Sequence, residues 1–137
     1  MAQSGEPKKV IIKSLTTNRT AGEVFDFFED VKNMETGGAL KSVTKGNDGW
    51  WSCKTQGGDA KIRVRSYREF GILDHIFVGG GLEWDVFVRI LPNNRGSTAT
   101  WTFIKPNELS DNQFEEQLMM FDKEITGWKN ALEHLSS

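Results

Sequence analysis

The sequence has little of what usually announces a function. Its single cysteine, Cys53, excludes an internal disulfide and a multi-cysteine zinc site. The two histidines, His75 and His134, are too few and too separated for a metal site, so no metal and no cofactor are expected. Three prolines against 14 glycines, with no Gly-X-Y period, exclude a fibrous chain. Charge of one sign is also missing: the formal net charge is -2, whereas a protein that grips phosphate backbones is usually strongly basic. No nucleic-acid partner is expected. No apolar run approaches the roughly 20 residues needed to cross a bilayer, and residues 1–9 carry no apolar signal region. The expectation is a cytoplasmic protein without membrane insertion. The glycines 79–81 are followed by neither GK[ST] nor a helix start, so they read as a hairpin and not a phosphate loop.

What is present suits one ordinary globular domain: 137 residues, 37% hydrophobic and 26% charged. Residues 1–7 read as a flexible tail and residues 8–137 as a single domain, with no internal repeat and no linker. Residues 8–15 read as a first strand. Thr20 and Glu23 form a capping box ahead of Val24, Phe25, Phe28 and Val31, which places a helix over 21–31, and residues 32–40 hold a further helical turn before Gly37 and Gly38. From residue 40 the period becomes two, with turns at regular intervals, giving strands over 41–45, 50–55, 59–70, 72–78, 82–91 and 97–105 in an antiparallel meander. A second capping box, Ser110 to Gln113, opens a helix of about 25 residues. Its stripe of Phe114, Leu118, Phe121, Ile125, Trp128, Leu132 and Leu135 recurs at spacings of 4, 3, 4, 3, 4 and 3. Gly127 weakens that helix by roughly 1 kcal/mol relative to alanine, and its many carboxylates, Glu124 among them, read as a solvated outer face.

The strands alternate. Lys61, Arg63 and Arg65 interleave with Ile62 and Val64, while Glu83, Asp85 and Arg89 interleave with Trp84, Val86, Val88 and Ile90. One sheet face is therefore wet and the other apolar. The basic row of Lys61, Arg63 and Arg65 expects salt-bridge partners in Glu83 and Asp85. Only the C-terminal helix is long enough to cover the apolar face. It is about 10 Å wide, and seven strands at about 4.8 Å spacing span roughly 30 Å. A curved sheet would meet it along a line and leave space beside it, so an internal cavity with an apolar, aromatic lining is expected.

This element order resembles the helix-grip fold of the START and Bet v 1-like (SRPBCC) superfamily, and most closely its small bacterial polyketide cyclase/dehydrase and lipid-transport-like proteins. The stretches that carry the likeness are residues 21–30 (AGEVFDFFED), 70–75 (FGILDH), 89–93 (RILPN) and the run 109–133. The resemblance spans residues 8–135 and implies an α+β fold: a seven-stranded curved antiparallel sheet around a long C-terminal helix, with two short helices after strand 1. It further implies a cavity for a hydrophobic small molecule, such as a lipid, polyketide or hormone-like ring compound, and does not imply catalysis.

Three functions follow as expectations. The first is binding of a hydrophobic or aromatic small molecule with one polar end. The second is a polyketide cyclase/dehydrase-type enzyme using Asp74 or His75 as acid or base. The third is a protein-interaction module acting through the outer sheet. Adjacent strand residues point to opposite faces, so only one of Asp74 and His75 can look inward. Arg68 shares parity with Ile62, Val64 and Ser66 and is expected inward, paired with Asp74 to hold a polar ligand head. Trp51, Trp84 and Trp101, with Phe28, Met34 and Phe121, are the expected lining. Cys53 reads as a buried inert thiol. Phe87 points outward. If Leu73 and Phe77 join it, they form a patch for weak homodimerisation of an otherwise monomeric chain.

Overall fold

Residues 5–135 are described by a computed structural model, so residues 1–4 of the expected tail and residues 136–137 of the expected domain lie outside the described residues. The strands are β1 (Val10–Thr17), β2 (Lys41–Lys45), β3 (Trp51–Thr55), β4 (Gly58–Tyr67), β5 (Ile72–Gly79), β6 (Leu82–Asn93) and β7 (Gly96–Ile104). They form one 7-stranded antiparallel sheet in the order β1-β7-β6-β5-β4-β3-β2. The β2-to-β7 strands pair as successive hairpins. β1 alone crosses to the far edge, by way of helix α1 (Ala21–Glu29) and a 3-10 segment (Val31–Gly37). Helix α2 (Asp111–Glu133) closes the chain.

Both helix starts follow from their caps. The Glu23 amide donates to the Thr20 hydroxyl at 3.2 Å and the Thr20 amide to the Glu23 carboxylate at 3.0 Å. Ser110 and Gln113 repeat the exchange at 3.1 and 2.9 Å. Along α2 the side chains of Phe114, Leu118, Trp128 and Leu132 are buried, while Phe121 and Ile125 are half-buried. Leu135 departs from the expected stripe. The helix ends at Glu133, and Leu135 lies exposed beyond its cap.

The inward row of the sheet runs through Leu15, Ala60, Ile62, Leu73, Trp84, Val86, Val88, Ile90, Ala99, Trp101 and Phe103, all buried. Helix α1 ends two residues earlier than expected, at Glu29, β6 runs two further, to Asn93, and two more boundaries that differ from the sequence pattern have a clear cause. β4 stops at Tyr67, because Arg68–Phe70 turn as a short 3-10 helix into Gly71, whose φ is 66°. A side chain at Gly71 would meet the Ile90 carbonyl oxygen at 2.3 Å, and the Gly71 carbonyl accepts from the Ile90 amide at 2.8 Å. Glycine is required there by both conformation and space. β1 runs two residues further than expected, to Thr17, because its register with β7 continues to the pair Thr17 and Ser97.

Gly127 has a role that helix propensity does not reveal. A Cβ there would lie 2.4 Å from the Thr36 carbonyl oxygen and 3.0 Å from the Gly37 Cα. A Cβ on Gly37 would lie 2.6 Å from the Trp128 indole nitrogen and 3.1 Å from the Glu124 Cα. The two glycines thus let the end of the 3-10 segment lie backbone against backbone on α2. The Trp128 indole donates to the Met34 carbonyl at 3.1 Å across the same junction.

Candidate functional site

The space between sheet and helix is occupied. Trp101 and Trp128 stack at 5.5 Å between ring centroids, Phe28 meets both edge-on at 5.4 and 5.3 Å, and Phe121 packs on Trp101, Phe103 and Trp128 at 5.7, 4.9 and 5.2 Å. Trp84 stacks on Phe114 at 6.0 Å farther along. The expected ligand-sized cavity is not open in this packing. What remains is a void of about 10 Å³, the room of one water molecule. It is lined by Phe28, Met34, Val64, Leu73, His75, Val88 and Trp101. The aromatic rings and the segment carrying Met34 fill the width by which the sheet exceeds the helix.

His75 settles the orientation of β5. It is 9% exposed and faces the void together with Leu73, two residues earlier on the strand. Burial pushes its imidazole down to about 4, outweighing a hydrogen bond with the Leu73 backbone and the neighbouring Asp74 charge, while Arg65 reinforces the fall. The ring is neutral at pH 7. Asp74 points to the opposite face, which corrects its expected place as a ligand-binding residue. Its carboxylate accepts from the Val88 amide at 2.9 Å and from the Arg89 guanidinium at 3.0 Å.

Arg68 is also corrected. The turn that ends β4 swings it out, where it pairs with Asp26 at 2.5 Å and lies 5.0 Å from the Phe25 ring centroid. The Arg68–Asp74 pair does not form. Of the expected lining, Phe28, Met34 and Trp101 come together with His75. Phe121 and Trp84 pack in the core away from the void. Trp51 is half-buried on β3, with the Lys45 ammonium 5.7 Å from its ring. Val64, Leu73 and Val88 were not singled out as lining residues, although their parity was readable once His75 was placed inward.

Seven antiparallel strands curve around one terminal helix, and the chain crosses between the sheet edges through two short helices after β1. The same arrangement recurs in solved structures. A START superfamily protein from Mycobacterium smegmatis superposes with a TM-score of 0.73 at 10% identity, covering 93% of this chain and 99% of that one. This is a helix-grip fold of the START and Bet v 1-like type. An uncharacterised protein from Bacillus thuringiensis shares the helix grip with a TM-score of 0.74 at 9% identity, over 90% of this chain and 98% of that one. Ara h 8.0201, a Bet v 1-type allergen, matches with a TM-score of 0.66 at 12% identity, over 90% and 97%. No family model and no curated protein matches the sequence.

Elsewhere in the helix grip, Cys53 is buried and burial raises its thiol pKa, as an inert cysteine requires. Among the described residues no group of acidic, histidine or cysteine side chains is arranged to hold a metal ion, and no helix is long and apolar enough to cross a membrane. One titratable group escaped the sequence pattern. Glu124 is not on a solvated face. It is half-buried beside Gly37, and burial pushes its carboxyl up to about 7.

Proposed function

We propose that this helix-grip domain binds a compact apolar or aromatic small molecule with one hydrogen-bonding group, in the space that the Met34 side chain now fills. The observation that carries this reading is His75: a neutral imidazole set in an otherwise apolar pocket wall, at a void between sheet and helix. The Leu73 backbone engages this ring, and a ligand hydroxyl or carbonyl entering the void would add a second polar contact in an otherwise apolar wall. Phe28 and Trp101 would sandwich the ligand's apolar body. Met34 is the natural element to give way. Methionine is flexible, and its side chain can turn aside while the Met34 carbonyl stays bonded to the Trp128 indole.

The enzyme reading retains His75 alone as acid or base, since Asp74 is turned away and bonded to Val88 and Arg89. An imidazole held near pKa 4 is better suited to orienting a ligand than to exchanging protons at neutral pH. One buried thiol and no disulfide partner support the cytoplasm as the compartment.

The test is a fluorescence titration with the neutral apolar probe N-phenyl-1-naphthylamine. Met34→Ala should tighten binding by about tenfold, equivalent to about 1.4 kcal/mol, and His75→Leu should change the affinity for a hydroxylated probe such as 1-naphthol more than for naphthalene. Absence of binding in both wild type and Met34→Ala, with each folded by circular dichroism, overturns the proposal.

A further inference from the structure

The outer face of the sheet carries an ordered charge pattern. Register sets Lys61 beside Val78 and Val78 beside Glu83 in one row, and Arg63 beside Ile76 and Ile76 beside Asp85 in the next. β4 is therefore a basic stripe, extended by Arg65. β5 is an apolar ridge of half-buried Ile76 and Val78, and β6 is an acidic stripe that ends at Phe87. The salt bridges expected between these stripes are absent. Among the described residues, Lys61, Arg63, Arg65, Glu83 and Asp85 make no ion pair within 4.0 Å, and Arg63 lies 5.8 Å from the Trp50 ring centroid. The physical reason is the ridge: β4 and β6 lie two strand spacings apart, roughly 10 Å, with Ile76 and Val78 between them. The remaining outward charge on the ridge, Asp74, is 14% exposed and already bonded to Arg89.

We infer that this face pairs with a second copy of the chain, about a two-fold axis running along β5. That rotation returns β5 to β5 and exchanges β4 with β6. Ile76 and Val78 pack on their own counterparts, Lys61 meets Glu83 of the second copy, and Arg63 meets Asp85 of the second copy. Each contact occurs twice. Arg65 is brought toward Phe87 of the second copy, a cation over a ring. A two-fold axis across the strands would instead set the basic stripe on its own copy and the acidic stripe on its own, and repulsion excludes it. Leu73 and Phe77, which the sequence had offered for this patch, are not part of it; Leu73 is buried inward, and Phe77 shares its parity and packs against the core.

The patch is small. Three strands by three rows cover roughly 10 by 14 Å, well short of the ~800 Å² that each partner buries in a stable complex. The dimer is accordingly weak, and it depends on salt because its charges are exposed.

Sedimentation velocity between about 20 µM and about 1 mM, at about 50 mM and about 500 mM salt, reads this directly. Wild type should shift from monomer toward dimer at low salt and lose the dimer at high salt. K61E/R63E should be monomeric, since both its stripes are acidic, and E83K/D85K should be monomeric, since both are basic. An equimolar mixture of the two should restore a mixed dimer at least as strong as wild type, because each stripe again faces its opposite. These exposed substitutions leave the core intact, which a thermal melt of each variant checks. A wild type that stays monomeric at about 1 mM and low salt, or variants that fail to recombine on mixing, overturns the inference. None of these outcomes bears on small-molecule binding.

Discussion

At the scale of single residues, two titratable groups shifted by burial act in opposite directions on stability. His75 is held near 4 against an ordinary 6.5, so the folded chain refuses a proton that the unfolded chain takes up. Its contribution is intact above 6.5 and is lost as pH falls toward 4. Glu124 is held near 7 against 4.5, so the folded chain keeps a proton that the unfolded chain releases. Its contribution is intact below 4.5 and is lost as pH rises through 7. Urea midpoints measured across pH should therefore fall between 6.5 and 7 in wild type. Glu124→Gln should remove that fall and raise the midpoint at pH 8, and His75→Leu should flatten the acid limb. Asp74 gives a third residue-scale expectation. Because its carboxylate satisfies the Val88 amide inside the β5–β6 ladder, Asp74→Ala should cost about 1–3 kcal/mol in chemical denaturation.

At the scale of elements, the junction of α2 with the 3-10 segment decides between two opposed effects. Gly127→Ala improves helix propensity by about 1 kcal/mol. It also drives a methyl into the Thr36 carbonyl, a backbone atom that cannot rotate away. Overpacking of this kind costs about 1–3 kcal/mol, so the variant should be less stable than wild type by urea unfolding, against its local propensity. The elements themselves were legible because each carries a local signal: a capping box at both helix starts, a 4-and-3 stripe along α2, and a period of two between glycine turns. Residues 68–70 were not. Arg68, Glu69 and Phe70 continue the alternation of β4 on paper, whereas the 3-10 turn they form ends at Gly71, which is held against Ile90 of β6 by a contact distant in sequence. The inward Arg68 and its pairing with Asp74 were misread for that reason.

At the scale of the whole molecule, the curved sheet and its helix followed from faces and lengths, whereas the cavity between them did not. Faces are a property of parity, and parity is written in the chain. Free volume is a difference between two large quantities, the hollow of the sheet and the bulk of the aromatic rings turned into it, and neither is known until the chain is folded. The orientation of His75 lies between these cases: parity reduced it to two options, and the burial of Leu73 and His75 selected one. The outer face was half legible. The alternation placed its charges, but only the interposed β5 shows that they are held apart.

β1 is hydrogen-bonded to β7 and to no other strand, with Val10 opposite Ile104. On a ribosome the first strand of this sheet is therefore made before the others and docked last. Its valine and isoleucines wait without a ladder until nearly the whole sheet has emerged. A nascent chain stalled before residue 96 would hold β2 to β6 and still leave β1 without its partner strand, a natural entry point for chaperone capture.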